Sequence, residues 1–170
     1  MECEECKKFR SQVNLIDESK NCIVHGYGNY NSEILFIGEG PGKDGAALTC
    51  VPFTKDYSGL VFQKSISTLG YSNNNPKKID GNFIPNENSL KCFITNVFRC
   101  YSYKLKVNKD ILKNYQMHCL SHLKDEINKL KNLKKIVIIG KSYTKAPIKG
   151  YIEKLKSNYE MKFVTHPAYY

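Results

Sequence analysis

Four short apolar runs punctuate the chain: 33–38 (EILFIG), 91–97 (KCFITNV), 135–140 (KIVIIG) and 162–165 (KFVT). Runs of this length and composition read as strands, and they are far too short to span a bilayer. Between them lie helical patterns. Residues 59–69 carry Leu60, Val61, Ile66 and Leu69 at fair helical spacing. Leu112, Tyr115, Cys119, Leu123, Ile127 and Leu130 place a long amphipathic helix over 109–131. A short helix is expected from Cys3 to about Asp17 and another near Ser142, whereas 72–89, rich in Asn, Pro and Gly, reads as a surface loop. Strands alternating with helices predict an α/β three-layer sandwich with a central, mostly parallel four-stranded sheet flanked by helices. In such sheets the ligand lies beyond the carboxyl ends of the strands, here residues 39–44, 96–100, 140–141 and 166–167.

A length of 170 residues suits one domain, and 41% hydrophobic with 25% charged residues is a globular balance. The net charge of +10 favours a polyanionic partner, although a chain so rich in Lys, Asn, Ile and Tyr also carries the stamp of AT-rich coding. The N-terminus, MECEECKKFR, has no apolar run, so neither an export signal nor a membrane anchor is expected there. The expected setting is the cytoplasm, at the nucleoid, and the expected state a monomer. In that reducing setting seven cysteines argue for metal ligation or buried thiols over disulfides.

Three constellations bear chemistry. Cys3 and Cys6 form a CxxC clamp of the kind both iron–sulfur clusters and zinc use, while Cys100 follows the second strand and Cys119 lies 19 residues later on the long helix. Spacing alone leaves iron–sulfur and zinc open, and a buried inert thiol is a common state for a cysteine placed as Cys119 or Cys92 is. Cys22 and Cys50 have no partner at a ligand-like spacing. The second constellation is Gly38-Glu39-Gly40-Pro41-Gly42 after the first strand, a turn that offers backbone N–H groups but lacks the lysine and hydroxyl of a P-loop. The third is scattered: Phe53 after Pro52, Asn96 ending the second strand and His166 ending the last. An amide reads a base edge, an aromatic face stacks on a base, and an imidazole stabilises a leaving anion. Taken singly, each of these residues more often has a structural role.

Read in order, these pieces resemble the family 4 uracil-DNA glycosylases, the iron–sulfur type. The resemblance rests on Cys3-Glu-Glu-Cys6, Gly38–Gly42, Pro52-Phe53 with Gly59, Ile94-Thr-Asn-Val-Phe-Arg-Cys100, Cys119, Val137-Ile-Ile-Gly140 and Thr165-His-Pro-Ala168, and covers nearly the whole chain. It implies a 4Fe-4S cluster on Cys3, Cys6, Cys100 and Cys119, with zinc as the less favoured metal. It implies a uracil pocket lined by Glu39, Gly40 and Gly42, stacked by Phe53 and read by Asn96. His166 would stabilise the leaving base, and backbone at Gly40–Gly42 or the Asp44 carboxylate would hold the attacking water. The partner implied is uracil-containing DNA.

Three departures stand out. Lys43-Asp44-Gly45-Ala46 replaces a more acidic stretch, Tyr101-Ser102 replaces an Arg-Pro, and the sequence stops at Tyr169-Tyr170, where family members continue through a DNA-inserting loop and a helix. Other readings of the same residues are a weak or inactive DNA-binding relative, a zinc-stapled α/β interaction domain, and a phosphate-binding enzyme using Gly38–Gly42.

Overall fold

Along each inner strand, successive side chains point to opposite faces, and both faces are apolar. Leu35 and Ile37 turn to one side with Phe93, Ile136 and Ile138; Ile34 and Phe36 turn to the other with Ile94, Val137 and Ile139. A sheet built this way must be covered on both sides. The computed structural model describes residues 4–12, 22–101, 109–141 and 148–167, and within them it is so covered.

The strands are β1 (Tyr27–Gly28), β2 (Ile34–Gly38), β3 (Phe93–Asn96), β4 (Lys135–Ile139) and β5 (Glu160–Val164). The helices are α1 (Glu4–Gln12), α2 (Ala46–Thr49), α3 (Tyr57–Thr68), α4 (Lys109–Lys129) and α5 (Ile148–Leu155). The sheet order is β1-β3-β2-β4-β5, parallel except for β1 against β3. One face packs on α1, α4 and α5 through Phe9, Tyr115, Leu123, Ile127, Ile148 and Ile152; the other packs on α3 through Phe62 and Ile66. Among the described residues no helix is long and apolar enough to cross a membrane.

The α/β sandwich is the expected one, with a fifth strand added. β1 is only two residues long, and its Gly28 has φ +122° against the Cys92 carbonyl, so no apolar pattern announces it. The 72–89 segment is more ordered than a plain loop. Asn75 and Asn86 cap two 3-10 turns, Pro76–Lys78 and Glu87–Ser89, and Ser72 bridges to Leu90. The expectation of thiols without disulfides is corrected at one place: Cys22 and Cys50 are disulfide-bonded, their Cα atoms 5.2 Å apart across 28 residues. Pairs at no ligand-like spacing in sequence meet because 22–24 runs beside the α2 loop, where the Cys22 N–H donates to the Ala47 carbonyl. Cys3, the part of the expected first helix from 13 to about 17, the helix expected to start near Ser142 and residues 168–170 lie outside the described residues.

A buried ion pair locks the open edge of the sheet. Arg99, only 1% exposed, meets Glu126 of α4 at 2.7 Å. Glu126 also accepts from the Gly26 N–H at 2.7 Å and from the Thr95 hydroxyl at 2.6 Å, while Arg99 donates to the Val24 carbonyl. The segment before β1, the end of β3 and α4 are thus pinned at one point.

Candidate active site

The carboxyl ends of four parallel strands bring the scattered polar residues together. Register pairs Gly38 with Asn96, and the pairing runs on as Val97 N–H donates to the Gly38 carbonyl and Phe98 N–H to that of Glu39, both at 2.9 Å. Asn96 is buried. A Cβ on Gly38 would lie 2.5 Å from Asn96 Oδ1 and 2.6 Å from the tip of the Phe53 ring, so glycine is what lets amide and ring approach one another. On the other side of β2, Gly140 follows β4 with φ +82° and lies against His166, where a Cβ would be 3.5 Å from the His166 Cβ. The Phe53 and His166 rings are 6.4 Å apart between centroids. Glu39, Gly40 and Gly42 are half-buried beside them, and Asp44 is exposed.

Phe53 is held in a conformation that a bulky residue rarely adopts, φ +51°, between Cys50 at +61° and Lys55 at +70°. Strain of this kind persists only where the surroundings over-determine it. Here Gln63 donates to the Phe53 carbonyl at 3.0 Å, Phe62 stacks on its ring at 4.3 Å, and Gly59 leaves no room for a side chain beneath Phe53 and Thr54. The Cys22–Cys50 disulfide fixes the start of the same loop.

Two residues that sequence reasoning passed over organise this corner. Asp56 caps α3 by accepting from the Gly59 N–H at 2.7 Å, and its other oxygen fills the space that side chains on Gly42 and Gly45 would need. It joins the glycine turn to the Phe53 loop. Its signal in the sequence was that of an N-cap, an Asp immediately before a helical pattern. Gln63 carried no signal, since a polar residue on a helix gives no hint that it faces inward.

Burial holds the His166 imidazole below its ordinary value, while the carboxylates of Asp56 and Glu39 pull in the opposite direction without overcoming it. The ring is therefore neutral near pH 7, a hydrogen-bond donor rather than a cation. The sign for stability follows. A depressed folded value means the unfolded chain binds more protons, so the contribution is full above about pH 6.5 and is lost as pH falls through the folded value. The urea midpoint is expected to drop more steeply from about pH 7.5 to about pH 5.5 in the native protein than in His166→Gln. Equal slopes would contradict the buried, neutral imidazole.

Gly38→Ala is expected to cost about 1–3 kcal/mol of stability through overpacking. It should also lower activity by pushing Asn96 and Phe53 apart. Urea titration beside an activity assay reads both.

The cysteine set also converges. Cys6, Cys100 and Cys119 are wholly buried cysteines outside any disulfide, in the core between α1, the end of β3 and α4. The Tyr115 hydroxyl accepts from the Cys100 N–H at 2.9 Å. Burial pushes the Cys119 thiol well up, with the hydrogen bond to Cys6 adding to the effect. Cys92 is a separate buried thiol in the other half of the core, raised by burial to about 12.

An amide, an aromatic ring and an imidazole are thus gathered at the carboxyl edge of a parallel sheet. Residues 25–170 match the family model of the uracil DNA glycosylase superfamily, and the chain belongs to that superfamily. The fold is also that of a solved structure, wild-type SMUG2 from Pedobacter heparinus, with a TM-score of 0.51 at 14% identity. The match covers 82% of this chain and 66% of that one. Among curated proteins no sequence matches it.

Proposed function

We propose that this protein excises uracil from DNA, hydrolysing the N-glycosidic bond to leave an abasic site. The observation that carries this reading is the meeting of Asn96 and Phe53 across Gly38, with His166 beside them at Gly140. Membership of the superfamily supports glycosidic-bond hydrolysis as the reaction class.

A base stacked in a duplex exposes neither its glycosidic bond nor its pairing edge, so the nucleotide must first be flipped out. In the reading proposed, Phe53 receives the ring on its face, and its strained, over-determined loop keeps that face in place before the base arrives. The Asn96 amide accepts from the ring N–H of uracil and donates to a neighbouring carbonyl. As the bond breaks, the sugar gains cationic character and the base negative charge. Donors fixed where that charge develops supply the main electrostatic stabilisation. His166 is placed to be one, donating from a neutral ring to a uracil oxygen. The backbone of the Glu39, Gly40 and Gly42 turn lines the pocket, and that turn or Asp44 holds the water that captures the sugar. The surplus of positive charge, +10, serves phosphate binding, and single surface-lysine changes should reduce the salt dependence of binding rather than the choice of base.

The same reading assigns a 4Fe-4S cluster to Cys3, Cys6, Cys100 and Cys119. The fit rests on three buried cysteines, none in a disulfide, in the same core between α1, β3 and α4, the soft donor type that such clusters take. When bound, the cluster would staple the N-terminal segment to the sheet, and no step of excision runs through it.

A uracil-containing oligonucleotide with alkaline strand scission, run beside a thymine control, tests the proposal. Uracil-specific scission that disappears in His166→Ala is the expected result. Folded protein that leaves the oligonucleotide intact would overturn it and favour a binding-only relative.

A further inference from the structure

His118 and His122 lie one turn apart on α4, so both imidazoles leave the same side of the helix. Cys6 of α1 comes to that side. One donor atom from each of the three residues lies within 4.8 Å of the other two, and the two Nε2 atoms are 3.0 Å apart. A tetrahedral zinc ion bound at about 2.0–2.1 Å by two imidazoles sets their nitrogens about 3.3 Å apart, so this pair needs to open by only a few tenths of an ångström. The thiol is buried and the rings are half-buried, which shields the donors from competing water. The Arg99 guanidinium is neutralised by Glu126 at 2.7 Å, so an incoming ion meets no uncompensated charge from it.

We propose that Cys6, His118 and His122 form a binding site for a divalent ion of the zinc class, with water in the fourth position. One thiolate with two imidazoles is a borderline-soft set that suits zinc or cobalt and does not suit magnesium or calcium. Because Cys6 also belongs to the four-cysteine set, its thiolate cannot serve both. Zinc-class loading and cluster loading then exclude one another, and a zinc excess blocks cluster assembly by capturing α1. Only this competition rests on the cluster reading; the three-residue site stands without it.

The test uses the full chain, stripped of metal with a chelator, checked for folding by circular dichroism and titrated with Co²⁺. One equivalent is expected to give the ligand-field bands of a tetrahedral site together with thiolate-to-cobalt charge transfer, and Zn²⁺ should displace both. The spectrum should vanish in the double variant His118→Ala/His122→Ala, whose half-exposed rings can be removed without touching the core, and in Cys6→Ser. It should survive in Cys100→Ser. A spectrum that persists without the two histidines, one that is lost with Cys100, or no cobalt uptake at all would overturn the site. Iron and sulfide reconstitution of the native chain is read separately. Failure to develop cluster absorption would overturn the four-cysteine reading and leave the cobalt result standing.

Discussion

Glu126→Ala is expected to destabilise the protein by about 3–5 kcal/mol, the usual result of stripping one partner from a buried ion pair. The size follows from what remains. Arg99 would keep its charge in a site that is 1% exposed, with the Val24 carbonyl and the Thr95 hydroxyl as polar neighbours at 3.3 Å and no carboxylate. The Gly26 N–H and the Thr95 hydroxyl would lose their acceptor in the same stroke. Against a total stability of about 5–15 kcal/mol for an ordinary domain, such a loss leaves the variant marginal at best. Added salt should not restore it, because screening acts on exposed charges and this one is enclosed. Urea denaturation is the check. A midpoint equal to that of the native protein would mean that the Arg99–Glu126 contact is not what pins α4 to the sheet.

The second large effect is on activity. Asn96→Ala is expected to slow uracil excision by about 2–4 kcal/mol, on the order of 30- to 1,000-fold, because two hydrogen bonds to the base edge disappear while the base must still be desolvated. Stability should change far less than in Glu126→Ala, since no buried charge is left unpaired. The loss should also exceed that of any single surface-lysine change, which weakens binding evenly across sequences. Excision kinetics under saturating DNA separate the two, and an unimpaired Asn96→Ala protein would remove Asn96 from the site.

How much of this was legible in the sequence depended on the range of the interactions involved. β2 and β4, continuous apolar runs buried on both faces, declare themselves locally, and so does α4, whose Tyr115, Cys119, Leu123 and Ile127 repeat along one stripe. β1 does not, because two residues carry no period and its place is set by pairing with β3. At the site, Asn96 and His166 could be found because strand ends are where such sheets bind ligands. Asp56 and Gln63 act across loops, one through space that Gly42 and Gly45 leave empty and the other on the Phe53 carbonyl, so only the folded arrangement reveals them. The Cys22–Cys50 disulfide was hidden for the same reason. Its 28-residue separation says nothing until the chain brings the two together. The His118–His122 pair did have a local signal, two histidines at i and i+4, and it became meaningful only with Cys6 opposite.

The proposed function requires Asn96, Phe53 and His166 to act as one pocket that selects uracil in DNA. The most direct measurement is the single-turnover excision rate on matched oligonucleotides carrying uracil or thymine at one position, for the native protein, Asn96→Ala and His166→Ala. Excision confined to uracil and sharply reduced in both variants, with circular dichroism unchanged, is the expected result. Excision that ignores both substitutions, or a folded native protein that leaves uracil in place, would contradict it.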